Sequence, residues 1–219
     1  MKDKQHIVSN YDNDLNDLKN MVIEMGVLVE KQLFNAVEFI KTFDEDKVSD
    51  FEGNEKNINK YETRIREHGT KTLSKRQPLA DDLRLIIIGI KLSSTLERIG
   101  DHSHNIVRRV LSEKINPNNY ETDTVYRLGS NVLKNVSQAL TAYDLFSQEI
   151  ALTIPEEDKK IDLFYENCFR EHLNIMMKNP KNIGFITQRL FIAKELERIG
   201  DLGKNISKEV LYYTSGKLL

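Results

Sequence analysis

Glu97 and Asp101 stand four residues apart, and the same pair recurs one hundred residues later as Glu197 and Asp201. On a helix that spacing puts both carboxylates on one face, where like charges destabilise an isolated helix by about 0.2–0.5 kcal/mol. Both pairs sit in an identical hexapeptide, Leu96-Glu97-Arg98-Ile99-Gly100-Asp101 and Leu196-Glu197-Arg198-Ile199-Gly200-Asp201. The echo continues with Asn105-Ile106 against Asn205-Ile206 and Val110-Leu111 against Val210-Leu211. Keeping the same repulsion in both copies points to a cation held there. Two carboxylates alone hold a metal poorly, so a second helix should contribute. Glu55 and Asn59 form a further four-residue pair, and Asp158 and Asp162 are their counterparts, 103 residues on. Adjacent helices, each offering such a pair, could enclose a cation with four oxygen-bearing side chains, as in carboxylate-bridged metal bundles. All-oxygen ligation suits Mg²⁺, Mn²⁺, Ca²⁺ or iron. Zinc more often takes His or Cys.

The bland readings differ residue by residue. A single outward carboxylate pair is ordinarily only solvated, and Arg98 and Arg198 could neutralise the acids without a metal; the duplication is what favours a cation. His102 and His104, two apart, point about 200° away from each other on a helix and cannot share one ion. Only His104 lies on the carboxylate side, and Lys204 replaces it in the second copy. Gly100 and Gly200, inside helices, mark close helix approach or room for a bound group, packing being the expected reading. Cys168, the single cysteine, falls at an apolar helical position and reads as core. It excludes an intrachain disulfide and fits a reducing compartment. No Gly-rich phosphate loop, Cys-x-x-Cys pair, Gly-x-Ser-x-Gly elbow or kinase signature is present, and no activated nucleophile stands out, so an enzyme is not expected.

The elements that position these residues are helices. Leu15, Leu18, Val22, Met25, Val29, Leu33, Ala36, Val37 and Ile40 recur at threes and fours, predicting a helix to about Lys41. Asp44-Glu45-Asp46 supplies a cap and an acidic first turn for a second, which runs through Ile58 and Ile65 towards Leu73 and breaks at Gln77-Pro78. A third runs from Ala80 through the first hexapeptide to about Glu113. Lys114 to Asp123 is the most loop-like central stretch, and places a boundary between a first domain, residues 1–116, and a second, 117–219. The second half repeats the plan: a fourth helix over Val125–Tyr143, a fifth starting at Thr153 with Pro155 just inside it, a break at Asn179-Pro180, and a sixth from about Asn182 to Tyr213. The expected fold is all-α: two tandem three-helix bundles related by internal duplication, with up-down-up packing. On the third helix Leu92, Leu96, Ile99, Ile106 and Val110 share one direction. Glu97, Asp101 and Asn105 project about 140°, 180° and 220° away, towards a flank or outer face open to solvent.

The chain of 219 residues carries 32 basic and 34 acidic residues, a formal net charge of −2. It therefore has no positive excess to drive nucleic-acid binding. Met1–His6 is polar and leads into no apolar region, so no signal peptide is expected. The longest apolar run, Leu85–Ile90, is too short to span a bilayer. A cytoplasmic protein is expected, meeting a membrane only peripherally through partners.

Gln77-Pro78, Asp82-Leu83-Arg84, the hexapeptide with His102 and Asn105-Ile106, and the second hexapeptide together resemble the PhoU family, over essentially the whole chain. The resemblance implies two three-helix bundles and a non-enzymatic negative regulator of phosphate uptake and of the phosphate-starvation regulon. It implies an adaptor between the ATPase subunit of a phosphate ABC transporter and a sensor histidine kinase; homodimers are expected from the long helical bundles. It also implies iron, manganese, magnesium or zinc at Glu55, Asn59, Glu97 and Asp101 in the first bundle and at Asp158, Asp162, Glu197 and Asp201 in the second. Asn59 departs from a carboxylate, which makes the first site the weaker of the two on sequence grounds. Leu202 in place of His102 argues against that histidine as an essential ligand. Two rival readings are a carboxylate-bridged metal enzyme and a purely structural helical scaffold.

Overall fold

The computed structural model describes residues 2–42, 48–75, 78–112 and 124–217. Among them are six α-helices and no strand: α1 (Lys2–Thr42), α2 (Val48–Lys75), α3 (Ala80–Ser112), α4 (Thr124–Leu145), α5 (Gln148–Lys178) and α6 (Ile183–Ser215), with a 3₁₀ turn at Pro180–Asn182 before the last. The acidic stretch Asp44–Asp46, the residue Gln77 and the expected boundary between 116 and 117 lie outside the described residues.

Each helix buries the face that its apolar spacing marks. Leu18, Val22, Met25, Val29 and Leu33 of α1 are at most 1% exposed, as are Leu92, Leu96, Ile99, Ile106 and Val110 of α3. Within the first half α1, α2 and α3 pack on one another, and within the second α4, α5 and α6 do the same. Tyr61 reaching Glu24 and His68 reaching the Asp14 carbonyl set α2 antiparallel to α1.

The halves then join through α3 against α6 and α1 against α4, and one apolar core runs through both. Both junctions are antiparallel. On α3 and α6, Lys91 meets Glu209, His102 meets Glu195 and Arg109 meets Gln188. Between α1 and α4 the fit is made twice by a glycine under a branched side chain: Gly26 lies against Leu140, and Gly129 against Val37. These two contacts are copies of one another in the repeat, since Gly129 stands 103 residues after Gly26 and Leu140 stands 103 after Val37. The halves therefore face each other like the subunits of a two-fold dimer, with the same surface used on both sides.

The fifth helix departs from expectation. It begins at Gln148, capped by Ser147, whose hydroxyl accepts the Ile150 amide at 3.3 Å. Phe146, in the left-handed region at φ 47°, makes the turn out of α4. Pro155 thus lies inside the helix rather than at its start. Proline removes one backbone hydrogen bond there. Ala151 and Ile154, both fully buried, anchor the helix before the proline, and Asp158 and Ile161, also buried, anchor it after, so tertiary burial carries the helix across a residue that locally marks a beginning.

Candidate functional site

The first carboxylate set lies along the seam of α2 and α3. Gly100 permits the approach: a Cβ there would meet Ile58 Cδ1 at 3.2 Å. From behind, the fully buried Gln32 of α1 donates its amide to the Gly100 carbonyl at 3.0 Å. The seam brings Glu55 of α2 onto His104 of α3, Oε2 against Nδ1. Glu97 faces the same seam. Burial, and then the charges of Asp101, Glu62 and Glu55, push its carboxyl above the usual carboxylate range, with Arg98 opposing. Asn59 and Asp101 are exposed at the solvent edge. Glu62, paired with Arg66 at 3.2 Å, was not among the expected site residues. Its signal was present, because it follows Glu55 by seven residues and so shares its helical stripe.

The second set occupies the seam of α5 and α6, and its electrostatics differ. Asp158 is 2% exposed, pressed by α5 onto Gly200, whose Cβ would sit 3.3 Å from its Oδ1. Asp158 Oδ2 accepts from Lys204 Nζ at 2.5 Å, and the same ammonium reaches Asp201 Oδ1 at 2.6 Å. Burial alone would lower the Lys204 pKa, but the hydrogen bonds and charges of Asp158 and Asp201 outweigh it and hold that pKa far above the usual lysine value. A second lysine, Lys194, pairs with Glu197 at 2.6 Å. Asp162 is pushed above its ordinary range by burial and by Asp158, with Lys204 opposing and Asp201 and Glu197 adding to the rise. The counterparts of Lys194 and Lys204 in the first half are Ser94 and His104. Asp101 and Asn205 are as open as the helical wheel expects, whereas Glu97 and Glu197 are half-covered by the neighbouring helix of their own bundle.

The two histidines separate as their spacing requires. His104 turns to α2 within its own half. His102 turns to α6, where its Nδ1 lies 2.6 Å from Glu195 Oε2, and Arg109 reaches the other oxygen at 3.3 Å. Glu195 is 4% exposed. Its burial would raise its pKa, but the hydrogen bond and charge of His102 and the charge of Arg109 hold it below the usual range. This buried junction between the halves escaped sequence reading, because neither Thr95 nor Leu202, the repeat counterparts of Glu195 and His102, carries a charge. Arg98 and Arg198 line one open cleft between α3 and α6, together with His102, Lys204 and Lys208.

The chain that carries this duplicated hexapeptide on two central antiparallel helices matches known proteins over nearly its whole length. The PhoU domain family matches residues 22–110 and again 125–210. The chain belongs to the PhoU family. It is 35% identical to the phosphate-specific transport system accessory protein PhoU homolog of Pseudomonas aeruginosa, over 96% of this chain and 88% of that protein. It is 32% identical to the PhoU accessory protein of Escherichia coli, over 97% and 88%. The crystal structure of PhoU from Pseudomonas aeruginosa superposes with a TM-score of 0.88 at 34% identity, covering 94% of this chain and all of that one. That of the phosphate transport system regulatory protein PhoU from Streptococcus pneumoniae gives 0.86 at 27% identity, covering 95% and 99%. PhoU proteins are accessory and regulatory proteins rather than enzymes. No described helix is long and apolar enough to cross a membrane.

The two PhoU seams fit a metal unequally. Among the described residues, no three His, Cys, Asp or Glu side chains converge on a point where an ion could be held. The first seam offers suitable donor types along its length, Glu55, Glu97, Asp101 and the His104 imidazole, and among the described residues Glu97 and Asp101 have no lysine or arginine in ion-pair contact. In the second, the place beside Asp158 and Asp201 is taken by a lysine, which offers no lone pair to a metal while charged. The second set does not fit.

Proposed function

We propose that this protein is a negative regulator of phosphate uptake and of the phosphate-starvation regulon, acting as a cytoplasmic adaptor between the ATPase subunit of a phosphate ABC transporter and a sensor histidine kinase. The observation that carries the reading is the end-to-end match to accessory proteins of phosphate-specific transport, with both hexapeptide helices at the centre of the same fold. Long helices held in one continuous core make a rigid body suited to presenting a surface to partners. A metal at Glu55, Glu97 and Asp101 would tie α2 to α3 and stiffen that flank. The test is a phosphate-starvation reporter in a host deleted for this gene and grown in high phosphate. Deletion should switch the reporter on and the wild-type gene should silence it. A reporter that stays silent on deletion defeats the reading. Complementation with Glu97→Ala/Asp101→Ala separates the parts: silencing by that variant keeps the regulator and removes the first carboxylate set from its mechanism.

A further inference from the structure

We propose that Lys204 is the resident cation of the second carboxylate seam, so that the two halves of this protein have diverged: the first seam is open to a metal ion and the second is closed by the chain's own ammonium. The inference rests on reading the first seam as a cation site, and it makes a separate claim about the second.

Four observations carry it. The pairing is positional, since His104–Glu55 and Lys204–Asp158 join counterpart residues of the repeat across the same seam. The partner of the α2 or α5 carboxylate comes in both halves from one helical position, but as groups of different chemistry. Neutral imidazole is a metal ligand and can yield its place to an ion, whereas lysine remains a charged donor with no acceptor. Next, Asp158 is a sealed carboxylate at 2% exposure, and its only hydrogen-bond donor among the described residues is Lys204. A buried carboxylate stripped of its partner is strongly destabilising, so the lysine is held by what it neutralises. Third, one Nζ bridges Asp158 and Asp201, occupying the place between them that a metal would need. Finally, Lys194 engages Glu197, the remaining acid of the hexapeptide, where the first half has only Ser94. Glu97 and Asp101 meet no lysine or arginine in ion-pair contact among the described residues, whereas their counterparts Glu197 and Asp201 each meet a lysine. This reverses the order of strength that Asn59 alone implies.

The test uses the full chain and Mn²⁺, whose free ion is read by electron paramagnetic resonance. In wild type, Mn²⁺ uptake should fall with Glu97→Gln/Asp101→Asn and be unchanged by Asp201→Asn. Lys204→His, which copies the first seam, should take up an additional equivalent, lost again when Asp201→Asn is added. Loss of wild-type Mn²⁺ on Asp201→Asn overturns the proposal, as does a folded Lys204→His protein that gains none. Wild type that binds no Mn²⁺ at the first set defeats the first-seam reading alone, because the gain in Lys204→His still decides the second. A measurement on wild type guards against a variant that fails to fold. Reductive methylation followed by mass spectrometry should modify Lys204 at least tenfold more slowly than Lys159, whose side chain is 69% exposed against 25% for Lys204. Equal rates would show that the ammonium is not held in the seam.

Discussion

Adding one methyl group at each of two glycines should distinguish the halves of the α1–α4 junction. Gly26 and Gly129 are repeat counterparts, each in mid-helix, so replacing either with alanine gains about 1 kcal/mol of helix propensity. The cost differs with what stands opposite. At Gly26 a Cβ would come 3.0 Å from Leu140 Cδ2 and 3.7 Å from Cδ1. Leu140 is only partly buried and borders a groove of about 140 Å³, also lined by Val22, Ile23 and Val27, into which its end can swing. At Gly129 a Cβ would meet Val37 Cγ2 at 2.9 Å and Cγ1 at 3.0 Å. Val37 is 2% exposed, and a β-branched side chain in a helix has essentially one χ1 rotamer, so neither methyl can yield without moving α1. Overpacking of this kind costs about 1–3 kcal/mol. The expected net is therefore neutral to about 1 kcal/mol stabilising for Gly26→Ala, and about 0–2 kcal/mol destabilising for Gly129→Ala. For a chain of this size each kcal/mol shifts the melting midpoint by about 2–4 °C. Urea and thermal unfolding of both variants, with Val37→Ala alone and combined with Gly129→Ala, make the assay. The double variant should show coupling of about 1 kcal/mol or more, because the truncated valine makes room for the new methyl. Gly129→Ala more stable than Gly26→Ala, or additive with Val37→Ala, would refute the packing argument.

Three further outcomes are expected. Glu195→Ala should destabilise the chain by about 1–3 kcal/mol, less than for a fully buried pair because His102 and Arg109 keep some solvent. His102→Leu, which copies Leu202, should erase much of that difference in a double-mutant cycle, and additivity would show that the junction carries no coupling. His172 is buried, its Nδ1–H donating to the Cys168 carbonyl at 2.8 Å, and burial first of all holds its pKa below the ordinary 6.5. The folded state then binds fewer protons than the unfolded one, so stability should decline as pH falls from 6.5 towards the folded value, and His172→Gln should flatten that limb of a urea-midpoint-versus-pH curve. At Glu97 the sign is opposite: a raised pKa means a contribution present below 4.5 and lost as pH rises through the folded value. Glu97→Gln should therefore raise the melting midpoint at neutral pH in metal-free buffer, and a lowered midpoint would contradict the repulsion inferred in the first seam.

Much of this protein is legible without coordinates. Apolar spacing marks the buried face of each helix, Asn179-Pro180 marks the end of α5, and the repeated hexapeptide marks both the duplication and the family. All of these are local or periodic features, and periodicity tells which side chains share a face. It does not tell which neighbour covers that face or how far a flexible side chain reaches across it. The wheel that turns Glu97 and Glu197 from the core is correct, yet only packing shows that α2 and α5 half-cover them. Asp158 and Asp162 share a stripe in sequence, but only Gly200 beneath Asp158 decides which of them is sealed. Lys204 is visible as a replacement for His104, while its bridge to Asp158 and Asp201 depends on how closely α5 approaches α6. Glu195 and His102 have no charged counterparts in the other half, and their meeting follows from the antiparallel register of α3 and α6. Pro155 reads locally as a helix start, and the burial of Ala151 and Ile154 overrides it. The sequence determines the helices, the repeat and the donors on offer. The tertiary structure decides which carboxylates are sealed and which partner each of them meets, because the sealed ones, Asp158 and Glu195, find theirs on a different helix.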